Sequence, residues 1–119
     1  MGFTVPAAIG VAVANPAISV IAITGDGSFM QNLQELEVIR HQQFNIKLFV
    51  MNNGGYFSIR QTQNRYFQGN LVGESSESGI SFPSMGKMAE AFEIPFYTVG
   101  SIYEAEKIME KVFAEVGPV

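Results

Sequence analysis

Two short apolar runs, from Ser19 to Thr24 and from Ile46 to Met51, each stop abruptly at a glycine-rich break. Both are rich in apolar and β-branched residues, so each reads as a buried strand covered on both faces of a sheet. Between them Phe29, Leu33, Leu36 and Ile39 recur at helical spacing, with Gln, Glu and Arg in the gaps. A buried strand, a helix and a second buried strand imply a parallel sheet with helices on its faces. In such sheets ligands bind beyond the carboxyl ends of the strands. The breaks at residues 25–27 and 52–55 both lie at carboxyl ends. The two breaks are therefore expected to converge.

The flanks continue the alternation. Pro6 suits the first turn of a helix that runs through Ala7–Ala14 and stops before Asn15 and Pro16. Beyond the second break a short helix is expected near Phe57–Gln63, then a long polar and aromatic loop to Phe82. Met85, Met88 and Phe92 mark another amphipathic helix, and Met109 reads as core with them. A short strand at Phe96–Val99 precedes a last helix, in which Ser101 and Glu104 have capping-box spacing and which Gly117 and Pro118 stop. No repeat or linker divides the chain, so residues 1–119 are assigned to a single domain.

Composition narrows the functions available. Net charge is −4 with no basic stripe, which argues against nucleic acid as a partner. A phosphate ligand stays possible, because backbone amides and a bound cation can receive the anion. The chain has no cysteine, which excludes disulfides, thiolate metal sites and cysteine nucleophiles and is compatible with a cytoplasmic location. The apolar stretch from Phe3 to Ile23 is interrupted by Pro6, Asn15, Pro16 and Ser19 and has no basic leader. It reads as a buried helix and strand, not as a membrane span. Only 15% of residues are charged, so part of the surface is expected to be covered by other protein. His41, the only histidine, and Glu35 and Glu37 read as solvated helix residues.

The chemistry concentrates at the two breaks. Gly25 and Gly27 let the backbone turn tightly and approach an anion with no Cβ in the way. A helix beginning near Ser28 or Phe29 adds unpaired N–H groups and a positive dipole end. Asp26, between the glycines, would repel a phosphate unless a divalent cation bridged the two. Mg²⁺ takes about six oxygens, usually from one or two carboxylates, substrate phosphates and water. Asp26, the Asn53 side chain and a carbonyl of Gly54 or Gly55 offer three hard oxygens of the required kind.

Gly25-Asp26-Gly27, then 24 residues (28–51), then Asn52-Asn53 resembles the diphosphate-binding signature of thiamine-diphosphate enzymes. The resemblance is closest to the acetolactate synthase, pyruvate oxidase and pyruvate decarboxylase group and covers nearly the whole chain. The segments Met1–Gly10, Lys87–Phe92 and Gly117–Val119 match family patterns as well. It implies a Rossmann-like three-layer α/β fold, a parallel sheet flanked by helices, incomplete at both ends. It further implies thiamine diphosphate and Mg²⁺ as cofactors, with Asp26, the Asn53 side chain and the Gly55 carbonyl as metal ligands. Gly27 and Ser28 match positions that hold the diphosphate, and Gly25 and Tyr56 line the same cleft. Met1 falls where relatives place a large apolar residue under the bent cofactor.

The implied function is a C–C bond lyase or transferase acting on a 2-keto acid, carried out within a larger assembly. The family's activating glutamate belongs to a separate pyrimidine-binding domain, usually of a neighbouring subunit. These 119 residues contain no such domain, so a homo-oligomer is expected and the chain alone is expected to be inactive. Where acetolactate synthases of amino-acid pathways tend to carry a tryptophan nine residues after Asn53, this chain has Thr62.

Two other readings compete. A dinucleotide-binding oxidoreductase domain would use Gly25 and Gly27 as the first glycines of a Gly-x-Gly-x-x-Gly motif. Met30 then replaces the third glycine, and Asn52 stands where an acidic residue should end the second strand. A non-catalytic assembly domain would instead use the apolar first helix and the exposed sheet edges to associate.

Overall fold

The computed structural model describes all 119 residues. Helix α1 (Thr4–Ala14) leads into strand β1 (Val20–Gly25), a single turn α2 (Asp26–Phe29), helix α3 (Leu36–Gln42) and strand β2 (Ile46–Met51). Helices α4 (Phe57–Tyr66), α5 (Met85–Ala91) and α6 (Ile102–Ala114) follow. The two strands pair in parallel with Val20 opposite Ile46 and Gly25 opposite Met51, as the sequence pattern predicts. No helix is long and apolar enough to cross a membrane.

The core forms where three apolar faces meet. Val5, Ala8 and Ala12 on α1 pack with Val20 and Ala22 of β1, Leu36 and Ile39 of α3 and Ile46 of β2. The small residues of α1 let it lie close to the sheet, while Leu36 and Ile39 each contribute roughly 2 kcal/mol of burial. Strand β2 is covered on its other face by α6, where Phe49 meets Phe113 with ring centroids 6.3 Å apart. On the same side the buried Lys47 ammonium donates to the carbonyls of Glu115 (2.9 Å) and Gly117 (2.7 Å). It thereby satisfies carbonyls just past the end of α6, where the helix dipole is negative. Burial holds the Lys47 pKa below its ordinary value, with Glu115 opposing that shift.

Four expectations need correction. First, β1 is covered on one face only. Val20, Ala22 and Thr24 are buried, whereas Ile21 and Ile23 are 56% and 63% exposed because nothing lies over them. Helix α1 likewise buries one face and leaves Val11 and Val13 open. Second, the helix read from Phe29 onward is broken. A 3₁₀ segment, Met30–Glu35, separates α2 from α3 and contains a non-helical Asn32 (φ −137°, ψ 36°). The Asn32 amide turns to donate to the Gly2 carbonyl at 2.5 Å, the kind of local side-chain bond that competes with helix.

Third, Phe96–Val99 is not a strand. An apolar cavity of about 570 Å³, lined by both β2 and this segment, leaves it no ladder to join. The edge of β2 is met instead by Val119, which donates to the Ile46 carbonyl and accepts from the Leu48 N–H. Fourth, the Ser101 hydroxyl caps nothing, and Glu104 reaches the Gly100 N–H at 3.3 Å. The reciprocal capping box lies at Ser75 and Ser78.

Candidate functional site

Because β1 and β2 end in register, both glycine-rich breaks emerge at the same level of the sheet. Gly25 is extended (φ −85°, ψ 158°) and serves as N-cap, so the helical turn starts at Asp26, two residues earlier than the pattern suggests. Asp26 is completely buried. Its Oδ1 accepts from the Gly27 N–H at 2.8 Å, and its Oδ2 accepts from Gly54 N–H at 2.8 Å and Gly55 N–H at 3.1 Å. One carboxylate thus satisfies three backbone donors contributed by both breaks, which a buried loop cannot leave bare.

Beside it, the end of the Asn53 side chain stands 3.0 Å from Asp26 Oδ1 and 2.8 Å from the Gly55 carbonyl. With the amide nitrogen inward, Asn53 donates to both. With its oxygen inward, three oxygens face one another, an arrangement that a bound cation would relieve. At Mg²⁺–oxygen distances of about 2.0–2.1 Å, neighbouring ligands of an octahedron lie roughly 2.9 Å apart. Separations of 3.0 and 2.8 Å fit two such edges as well as they fit the two hydrogen bonds. The donors are all hard oxygens with a single carboxylate, and no group of three His, Cys, Asp or Glu side chains competes elsewhere. This donor set suits Mg²⁺.

Tyr56 closes one side. Its ring lies over Gly27 so tightly that a Cβ there would sit 2.6 Å from Cδ1. The ring meets Phe82 edge-on, at 5.7 Å and 87°, which ties the long loop to the site. Ser28 lies within the first helical turn, and its Oγ accepts from the Gly2 N–H at 2.8 Å, docking the amino-terminal segment there. A small cavity of about 160 Å³ opens beside Asp26, Asn52 and Gly54 and is walled by Ser75, Ile80 and Phe82. The larger apolar cavity shares Asn52 with this one and is otherwise lined mainly by apolar side chains of β2, α6 and residues 94–99.

Gly25, Asp26, Gly27, Asn53, Gly55 and Tyr56 are thus brought together, with Ser28 in the same helical turn as Asp26 and Gly27. Met1 and His41 are exposed, Glu37 pairs with Arg40 at 2.6 Å on the surface, and Thr62 donates to the Ser58 carbonyl on α4. Pattern reading missed Arg60 and Glu74. Glu74 is 1% exposed, is held by Arg60 Nε (2.5 Å) and the Ser75 hydroxyl (2.5 Å), and lies against the backbone of Gly55. The Ser75 hydrogen bond holds its carboxyl below the usual value, burial opposes this, and Arg60 adds to the lowering. The available signal was an acid at the start of a serine-rich turn and an arginine one helical turn after Tyr56.

Comparison with known proteins bears on the family and the fold. The family model described as "Thiamine pyrophosphate enzyme, C-terminal TPP binding domain" matches residues 1–119. Acetolactate synthase 2, chloroplastic, of Zea mays is 36% identical over 122 residues, covering 99% of this chain and 19% of the relative. Acetolactate synthase 1, chloroplastic, of Oryza sativa subsp. japonica is 37% identical over 123 residues, with the same coverage. The chain therefore spans about a fifth of the length of these curated relatives. A thiamine diphosphate-dependent 4-hydroxybenzoylformate decarboxylase of Rhodococcus jostii RHA1 superposes with TM-score 0.84 at 25% identity, over 99% of this chain and 22% of its own. From the two converging breaks, the sheet beneath them and these likenesses together, the chain belongs to the C-terminal thiamine pyrophosphate-binding domain family of thiamine pyrophosphate enzymes.

Proposed function

We propose that this chain anchors the diphosphate of thiamine diphosphate through Mg²⁺, as one part of an acetolactate synthase-like lyase or transferase acting on a 2-keto acid. The observation that carries the reading is the cluster of Asp26 Oδ1, the Asn53 side-chain end and the Gly55 carbonyl, spaced as metal ligands at 3.0 and 2.8 Å. Asp26 and Asn53 hold the cation, and Gly55 adds its carbonyl. Gly27 and Ser28 face the diphosphate at the positive end of the first helical turn, while Gly25 and Tyr56 line the cleft. Thiamine diphosphate, when bound, supplies the carbanion-stabilising centre. The residues of this chain neutralise, orient and partly shield its diphosphate. The activating glutamate comes from a pyrimidine-binding domain outside these residues, and a homo-oligomer brings the two together.

The dinucleotide reading is disfavoured by Asp26 itself. Its buried carboxylate stands among the N–H groups of Gly27, Gly54 and Gly55, where it would repel a pyrophosphate bound without a bridging cation. Calorimetric titration with thiamine diphosphate tests the proposal. Binding is expected with Mg²⁺, is expected to vanish in excess EDTA, and is expected to weaken more than about a hundredfold in Asp26→Ala, beyond the usual loss for an indirect metal partner. Equal binding in EDTA, or an unaffected Asp26→Ala, overturns it.

A further inference from the structure

Every backbone polar group of the loop from Gly54 to Tyr56 has an assigned partner. Gly54 N–H and Gly55 N–H go to Asp26 Oδ2. The Gly54 carbonyl accepts from Arg60 Nη2 at 3.1 Å. Tyr56 N–H goes to the Glu74 carbonyl at 2.7 Å, and the Tyr56 carbonyl accepts from Arg60 N–H at 3.0 Å. The Gly55 carbonyl accepts from Phe57 N–H at 3.1 Å and turns its remaining lone pair toward Asn53. A trans peptide is planar, with its C=O and N–H on opposite sides. The Gly54–Gly55 plane is accordingly pinned at one end by Asp26 and at the other by Arg60. The Gly55–Tyr56 plane is pinned at its N–H by Glu74, which aims its C=O the opposite way, into the cluster.

We infer that Arg60 and Glu74 are positioning residues that set the direction of the Gly55 carbonyl from behind the metal-binding cluster. The arginine fork joins the two pins, because Nε holds the Glu74 carboxylate while Nη2 holds the Gly54 carbonyl. Packing enforces the same geometry. Gly55 has φ +135°, and a Cβ there would lie 1.9 Å from the Glu74 carbonyl oxygen. The role in metal binding rests on the proposed function, whereas the role in shaping the loop does not.

Arg60→Lys separates the two. A lysine keeps the positive charge beside buried Glu74, but its single ammonium lacks the planar fork that spans both partners. Nuclear magnetic resonance of the 119-residue chain reads the result without any catalytic assay. Hydrogen exchange at the Gly54 and Gly55 amides is expected to speed up about tenfold, while the amides of Ala22 and Leu48 in the sheet stay unchanged. The Mg²⁺ midpoint followed on the same resonances is expected to rise roughly tenfold to a hundredfold, as for other partners that orient a metal ligand. Glu74→Gln, which keeps an acceptor for Arg60 without a buried charge, is expected to move both readouts in the same direction and by less. Unchanged loop exchange in Arg60→Lys, or equal acceleration in loop and sheet, overturns the inference. Faster loop exchange in a protein whose resonances never respond to Mg²⁺ supports the clamp and rejects the metal reading.

Discussion

Gly54 and Gly55 are adjacent, both have positive φ, and the structure predicts opposite tolerance to a methyl group. At Gly54 (φ +74°) an added Cβ meets nothing within 4 Å. Gly54→Ala therefore costs only the left-handed backbone, about 1 kcal/mol. At Gly55 the Cβ would lie 1.9 Å from the Glu74 carbonyl oxygen, against about 3.4 Å for ordinary contact, so the chains must part by about 1.5 Å. That movement breaks the 2.7 Å bond from Tyr56 N–H to the Glu74 carbonyl. Backbone strain of about 1–3 kcal/mol and a bared N–H of about 1–3 kcal/mol sum to roughly 4 kcal/mol. At about 4 °C per kcal/mol for a chain of this size, Tm is expected to fall by about 16 °C in Gly55→Ala and about 4 °C in Gly54→Ala. Thermal unfolding followed by circular dichroism measures both. Equal falls in the two variants would refute the argument, because the Glu74 contact supplies most of the difference between them and the φ of +135° at Gly55 the rest.

Lys47→Met removes the donor to the Glu115 and Gly117 carbonyls. It is expected to cost about 2 kcal/mol and lower Tm by about 8 °C, and a raised Tm would mean that burying the ammonium outweighs its bonds. Glu74 has its pKa lowered by folding, so the stability it contributes is complete above the ordinary value of 4.5 and is lost as pH falls through its lower folded pKa. The Tm difference between wild type and Glu74→Gln is expected to be level near neutral pH and to close below pH 4.5. A difference as large at about pH 3 as at about pH 7 would contradict that sign.

Periodicity and punctuation were enough to locate β1, β2 and the convergence of their carboxyl ends, because strand composition and glycine placement are local signals. Family resemblance singled out Asp26, Asn53 and Gly55, which the fold brings into one cluster. Other features depend on tertiary context that no local pattern carries. Asn32 breaks a helix because Gly2, thirty residues away, presents a carbonyl to it. Phe96–Val99 has a strand-like composition but no edge to pair with, and composition does not count neighbours. Lys47 sits in a strand that reads as apolar, and its buried partners lie 68 and 70 residues downstream. Arg60 and Glu74 resemble ordinary surface residues until the fold sets them behind the loop.

The side-chain amide of Asn53 is nearly symmetric in shape and opposite in polarity at its two ends. Turned one way it fastens Asp26 to Gly55 through its own hydrogens, and turned the other it offers a lone pair to a charge between them. Passage between the two states needs a half-turn about one side-chain bond, with the backbone of both breaks left where it is. On the proposed function the cluster is preorganised for a cation: the amide hydrogens relieve the repulsion among its oxygens in the metal-free state, and the scaffold would not need to reshape itself on binding.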